Sequence, residues 1–247
     1  MKTFQTLLKH ELKLNIRDMN MVIFAVLMPL TVLVIIGVVY QTRPAFDGAE
    51  YTFIEQSLGA LSAISICAGG LMGLPIIVSD YRERKILKRF QVTPVSPAML
   101  LGVEFVIYML YAAVSLLTLL FTSMLFWGFT MRGSWLSFLG SWALTLLSTL
   151  SIGLMVGGIA RNTKSAGVIA SILYFPMLVF SGTTLPFEVM PETMQRFVRI
   201  FPLTQGIQLM KASSLGLRIE QVWVPIAVMG AVTVVCTTIA IRYFEWE

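Results

Sequence analysis

Charge is scarce in this chain. Asp, Glu, Lys and Arg make up 13% of 247 residues, against about 25% in ordinary soluble domains. There is one histidine, His10, and there are two cysteines, Cys67 and Cys236. A single histidine excludes a histidine-rich metal centre. Both cysteines fall within apolar runs, so no disulfide framework is expected. Gly-Lys never occurs, which excludes a P-loop and the nucleotide binding that goes with it. His-Glu-x-x-His and Gly-x-Ser-x-Gly are absent too, and no nucleophile, base and metal constellation remains for an intramembrane enzyme. The apolar runs lack the acidic, lysine and histidine relays of proton-driven carriers. No catalytic residue, no metal site and no cofactor held by the chain itself is expected.

What is abundant is apolar surface. Hydrophobic residues make up 57%, with a mean hydropathy of +0.82. Six runs carry no charged residue at all: 19–42, 56–79, 105–131, 135–160, 165–187 and 221–241. A helix needs roughly 20 apolar residues to cross a bilayer, and lipid offers backbone amides no other partner. The expected fold is therefore an all-α integral membrane protein of six transmembrane helices, one domain over 1–247. With the N-terminus in the cytoplasm, inner segments hold twelve of the eighteen Lys and Arg residues and outer segments six. That bias predicts a multi-pass cell-membrane protein with both termini cytoplasmic. The sequence pI of 9.4 then reflects loops beside anionic lipid, and no basic surface is left for nucleic acid. Residues 2–17 are polar and basic, and the first apolar run is long enough to stay as an anchor rather than a cleaved signal.

The connections carry the remaining information. Segment 1–18 predicts an amphipathic interfacial helix with Phe4, Leu7, Leu8 and Leu12 as its stripe. Glycines cluster in spans two (Gly69, Gly70, Gly73) and four (Gly153, Gly157, Gly158), which suits close helix packing within the chain. Segment 185–220 is too apolar for an ordinary loop. Pro191 opens one short helical pattern and Pro202 ends it. A second runs over 205–215, so two short helices dipping back into the outer leaflet are expected. Glu104 is the lone ionisable residue near span depth, seven residues past Pro97, or roughly 10 Å along the helix. It reads as an intramembrane ion pair or substrate contact, or as a carboxylate reaching the headgroups or paired with Arg161, Lys164 or a loop arginine.

The most informative stretch is 81–97, which carries five of the eighteen basic residues between two apolar runs. Ile86, Leu87 and Phe90 share one side of a short amphipathic helix, while Arg84, Lys85, Lys88 and Arg89 face elsewhere. Thr93-Pro94 stops it. Ser96-Pro97 starts the next helix, serine as N-cap and proline in the first turn. This is a membrane conduit without an engine, and the basic loop is where an outside engine would dock.

These residues resemble the membrane subunits of ABC transporters of the ABC-2 type. Arg82-Glu83, then Leu87-Lys88-Arg89-Phe90 and Thr93-Pro94-Val95-Ser96, is similar to the family's loop signature. Leu185-Pro186 with Met190-Pro191, and Phe201-Pro202-Leu203-Thr204, resemble its outer segment. Lys85-Ile86 stands where many members have Gly-Thr, and Phe201 where many have Asn. The resemblance implies a second copy of this or a related permease and two copies of a separate cytoplasmic ABC ATPase, which would hold the ATP and Mg. It implies coupling to that ATPase through Arg82, Glu83, Arg84, Ile86, Leu87, Arg89 and Phe90. It implies a conduit along spans two and five, with Met72, Tyr174, Phe175, Met177 and Phe180 as candidate lining, unless these pack in the core or face membrane lipid. The implied function is ATP-driven export of a hydrophobic drug, antibiotic or lipid-like molecule, in a bacterial membrane. A membrane scaffold that recruits a cytoplasmic protein would explain the basic loop equally well, but it does not need the outer helices.

Overall fold

Long apolar runs must close their own backbone hydrogen bonds, and here they do so as helices. A computed structural model describes residues 2–17, 19–46, 48–86, 96–181, 190–217 and 222–243. Six helices are long and apolar enough to cross a membrane. They are α2 (Met19–Tyr40), α3 (Phe53–Glu83), α4 (Pro97–Trp127), α5 (Trp135–Ile159), α6 (Thr163–Phe180) and α9 (Trp223–Tyr243). Helix α1 (Lys2–Arg17) precedes them. Two short helices, α7 (Glu192–Val198) and α8 (Pro202–Leu215), fall in the segment expected to hold two. Residues 182–189 and 218–221, on either side of that pair, lie outside the described residues, as does most of the basic loop (87–95).

Local chemistry sets the helix ends. Thr52 and Glu55 form a capping box at the start of α3: Thr52 Oγ1 accepts from the Glu55 N–H at 3.2 Å, and Glu55 Oε2 accepts from the Thr52 N–H at 2.7 Å. Ser96 caps α4 by accepting the Met99 N–H at 3.2 Å, as its sequence context predicts. Pro202 occupies the first turn of α8, so it begins that helix rather than only ending the one before. In both α2 and α3 a wide π-helical turn (Ile23–Leu27, Ala68–Gly73) precedes a proline, Pro29 or Pro75. A wider turn relieves the clash between the proline ring and the preceding carbonyls.

Helix α3 is the enclosed one. In its most apolar stretch 78% of residues are buried, against 22% in α2, α6 and α9, so these three form the rim. Helix α3 crosses α5 at glycines. A Cβ on Gly153 would overlap the Gly70 carbonyl oxygen, and one on Gly157 would meet Val78 Cβ at 2.8 Å. The glycine pairs are therefore packing seams inside the chain. The α1 stripe of Phe4, Leu7, Leu8 and Leu12 packs on Ala25 of α2 and on Val103, Ile107 and Tyr111 of α4. Helix α8 is only 14 residues long, yet eleven of them are buried. It lies against α3 and α5 at the end where both helices begin. Cys67 and Cys236 are buried free thiols.

Gly153→Leu should lower the melting temperature of the detergent-solubilised protein, by a loss of about 2 kcal/mol or more. Gly140→Ala, on the same helix with no atom within 4 Å of its added Cβ, should stay within about 0.5 kcal/mol of wild type. Equal behaviour of the two would mean that the α3–α5 crossing is looser than described.

Candidate functional site

Three helix ends meet where α3 finishes. Helix α5 runs out at Ile159 and leaves carbonyls without intrahelical partners. Arg82, in the last turn of α3, spans two of the carbonyls there: Nη2 donates to Gly158 O at 2.8 Å and Nη1 to Ala160 O at 2.9 Å. The chain turns at Arg161, and α6 begins at Thr163 with Asn162 as N-cap. Asn162 Oδ1 accepts the Ser165 N–H at 2.8 Å. The Thr163 N–H is the next orphan donor. Glu83 Oε2 accepts it at 2.9 Å and also accepts the Thr163 hydroxyl at 2.7 Å. A cation thus sits at the negative end of α5 and a carboxylate at the positive end of α6, the arrangement helix dipoles favour.

The charges that follow turn outward. Arg84 is 70% exposed and pairs with Asp80 at 2.7 Å, an i,i+4 contact worth about 0.3–0.5 kcal/mol. Lys85 is exposed and left-handed, with φ 54°, and its N–H bonds Arg82 O at 2.9 Å. This is a helix-ending turn that glycine favours. Arg161 and Lys164 are exposed on the neighbouring turn. Ile86 is half-buried against Tyr81, Leu100 and Leu7. The remaining residues expected at this site, Leu87, Arg89 and Phe90, lie outside the described residues.

Glu104 is fully buried on α4. Among the described residues its hydrogen-bond partner is a phenol. Tyr81 donates its hydroxyl to Glu104 Oε1 at 2.7 Å, and the same hydroxyl lies 3.1 Å from Glu11 Oε2 on α1. The phenol holds one proton and bonds one carboxylate at a time. It ties α1, α3 and α4 together. Sequence spacing could not pair positions 11, 81 and 104; only the packing of α1 across α4 does so.

Of the expected conduit residues, Met72, Tyr174 and Met177 come together in one apolar cluster with Cys67 and Leu71. Phe175 is 57% exposed on the rim, in edge contact with Tyr174 at 5.4 Å between ring centroids. Phe180 is half-buried. Two clefts, of about 480 and 320 Å³, lie elsewhere, against α9, and none of these residues lines them.

At the opposite end a second buried carboxylate gathers three segments. Glu55 accepts from Thr130 Oγ1 at 3.1 Å and pairs with Arg132 Nε at 3.4 Å, both in the α4–α5 connection. The Arg132 and Gly133 N–H groups donate to Ser214 O at 3.1 and 2.9 Å and so cap α8. A Cβ on Gly133 would overlap Ser213 O. The Thr-x-x-Glu capping box was legible in the sequence; the pairing of positions 55 and 132 was not.

A family profile described as ABC-2 type transporter matches residues 2–215, α1 through α8. The chain belongs to that family. Among curated relatives, the inner membrane transport permease YhhJ of Escherichia coli (strain K12) is 31% identical over 119 residues, 48% of this chain and 32% of that protein. The probable multidrug ABC transporter permease YbhS of the same organism is 26% identical over 163 residues, 66% of this chain and 43% of that protein. Nodulation protein J of Neorhizobium galegae is 32% identical over 74 residues, 30% of this chain and 28% of that protein. The matched region thus spans less than half the length of these relatives.

Glu55→Ala should destabilise the detergent-solubilised protein by about 3 kcal/mol, because it strips a helix cap and leaves Arg132 without its partner. Lys85→Gly should stabilise it by about 1 kcal/mol, since glycine adopts positive φ without steric cost. Thermal unfolding followed by tryptophan fluorescence reads both; a drop in melting temperature for Lys85→Gly would contradict the left-handed turn.

Proposed function

We propose that the chain is the membrane subunit of an ATP-driven exporter. The observation that carries this reading is the ABC-2 family match running from α1 through α8. ATP hydrolysis is assigned to a separate cytoplasmic ABC ATPase in two copies, which holds the ATP and Mg. A second copy of this or a related permease completes the conduit. Both termini and the 81–97 loop face the cytoplasm, in line with the distribution of Lys and Arg. Leu87, Arg89 and Phe90 of that loop enter a groove on the ATPase with an apolar side, while Arg84 and Lys85 set register.

The translocation path runs between α3 and α6 of the two copies. Two features support that choice. Phe175 leaves its own chain on the α6 rim, where a partner copy would meet it. Met72, Tyr174 and Met177 lie just behind, as an adaptable apolar and sulfur-containing wall. Such a wall suits a hydrophobic drug, antibiotic or lipid-like substrate, and a relative printed as a multidrug permease is consistent with that class. Helix α8, enclosed near the outer start of α3, is read as a re-entrant helix closing the path from outside.

The tagged chain, extracted from its native membrane in mild detergent, should bring down a P-loop ATPase at about one copy per permease. Leu87→Ala with Phe90→Ala should release that ATPase without reducing the amount of inserted permease. A folded preparation with no ATPase would instead point to a scaffold.

A further inference from the structure

We propose that Arg82 and Glu83 are a strut that carries movement of the 81–97 loop to α6, not contacts that bind the ATPase. The inference rests on the ATPase-driven reading above. Four observations carry it. Helix α3 is continuous to Glu83, and the break comes after it, at the left-handed Lys85. The two residues therefore ride on the rigid end of the span, ahead of the break.

Both side chains are engaged within the chain, Arg82 half-buried and Glu83 at the surface. The Arg82 fork holds two carbonyls at the end of α5, and the single oxygen Glu83 Oε2 takes both donors of Thr163 at the start of α6. A guanidinium suits this because its planar fork reaches two acceptors at once, which an ammonium cannot match.

The strapped object is short. The turn from 160 to 162 joins α5 to α6 with no slack, so a shift of the α3 end moves the first turn of α6. Helix α6 is also one of the three spans with a free flank: 22% of its apolar stretch is buried, as in α2 and α9, so less packing resists its motion than in α3.

Charge divides accordingly. Arg84, Lys85, Arg161 and Lys164 present exposed cations around the strut, while Arg82 is half-buried and already engaged. The outward set is available to an acidic partner surface; Arg82 and Glu83 hold the turn that displays part of it. They are positioning residues for transport.

The test uses the full-length chain in inside-out vesicles from its native membrane. A cysteine at Ile172, on the exposed flank of α6, reports motion through its maleimide-labelling rate with and without ATP. The parent chain, whose two native thiols are buried, sets the background. Co-purification of the ATPase is read in parallel. In otherwise wild-type chain, ATP should change the labelling rate. Glu83→Ala and Arg82→Lys should keep the ATPase bound and lose that change, whereas Phe90→Ala should lose the ATPase itself. Thr163→Val, which removes the hydroxyl and keeps the N–H, should weaken the change and serves if Glu83→Ala does not fold. A Glu83→Cys, Thr163→Cys pair should be bridged by a short bifunctional thiol cross-linker that replaces the reach of the lost glutamate side chain.

Release of the ATPase by Glu83→Ala would overturn the strut and make Glu83 a docking residue. So would an undiminished ATP response in that variant, or failure of the cysteine pair to cross-link. If the wild-type chain brings down no ATPase while the pair still cross-links, the export reading fails and the contact stands as a purely structural clamp.

Discussion

Every helix end in this bundle has to find partners for its own backbone. In water, solvent would supply them; in a hydrocarbon layer each orphan amide or carbonyl costs several kcal/mol. The structure answers with side chains and loops borrowed from other segments. Arg82 closes the end of α5 and Glu83 the start of α6. The Arg132 and Gly133 amides close α8, and Glu55 closes α3 while holding Arg132. In this charge-poor chain Arg82, Glu83, Glu55 and Arg132 all serve such joints. Substituting one disturbs two or three helices at once.

The same constraint separates a fixed part from a freer one. Helix α3 is enclosed by α5 through glycine seams, and α8 is sunk against both. Those contacts are close-packed and resist displacement. Helices α2, α6 and α9 have most of their surface turned away from their own chain. A membrane transporter needs both: a frame that keeps its register and spans that can tilt. The polar joint at the start of α3 ties it to the α4–α5 connection and α8, and the joint at its far end reaches α6 directly.

Much of this was legible beforehand, because each legible feature rests on local chemistry. The six runs are recognised by length, the serine and proline at 96 and 97 by capping, and the α1 stripe by helical period. The glycine clusters announced close packing. The loop signature pointed to the family. Other features escaped for a common reason. The contacts of Arg82 and Glu83 were not foreseen, since nothing in the sequence places Gly158, Ala160 and Thr163 beside them. Glu104 was left between an ion pair, a substrate contact and a carboxylate reaching the headgroups, since spacing cannot show that a tyrosine 23 residues earlier meets it from α3. Charge separated along a chain suggests pairing with opposite charge, but burial among three helices selects a hydroxyl instead.

The sequence by itself determined the class of molecule: hydropathy and charge bias leave a multi-span membrane protein, and the loop signature points to its family. These properties are additive along the chain and do not depend on what packs where. Only the tertiary structure decided which spans form the frame, which polar groups close which helix ends, and that the last turn of α3 grips the α5–α6 turn. Those are choices of partner between residues 75 to 80 positions apart, and partner choice is settled by packing geometry, which no local pattern encodes.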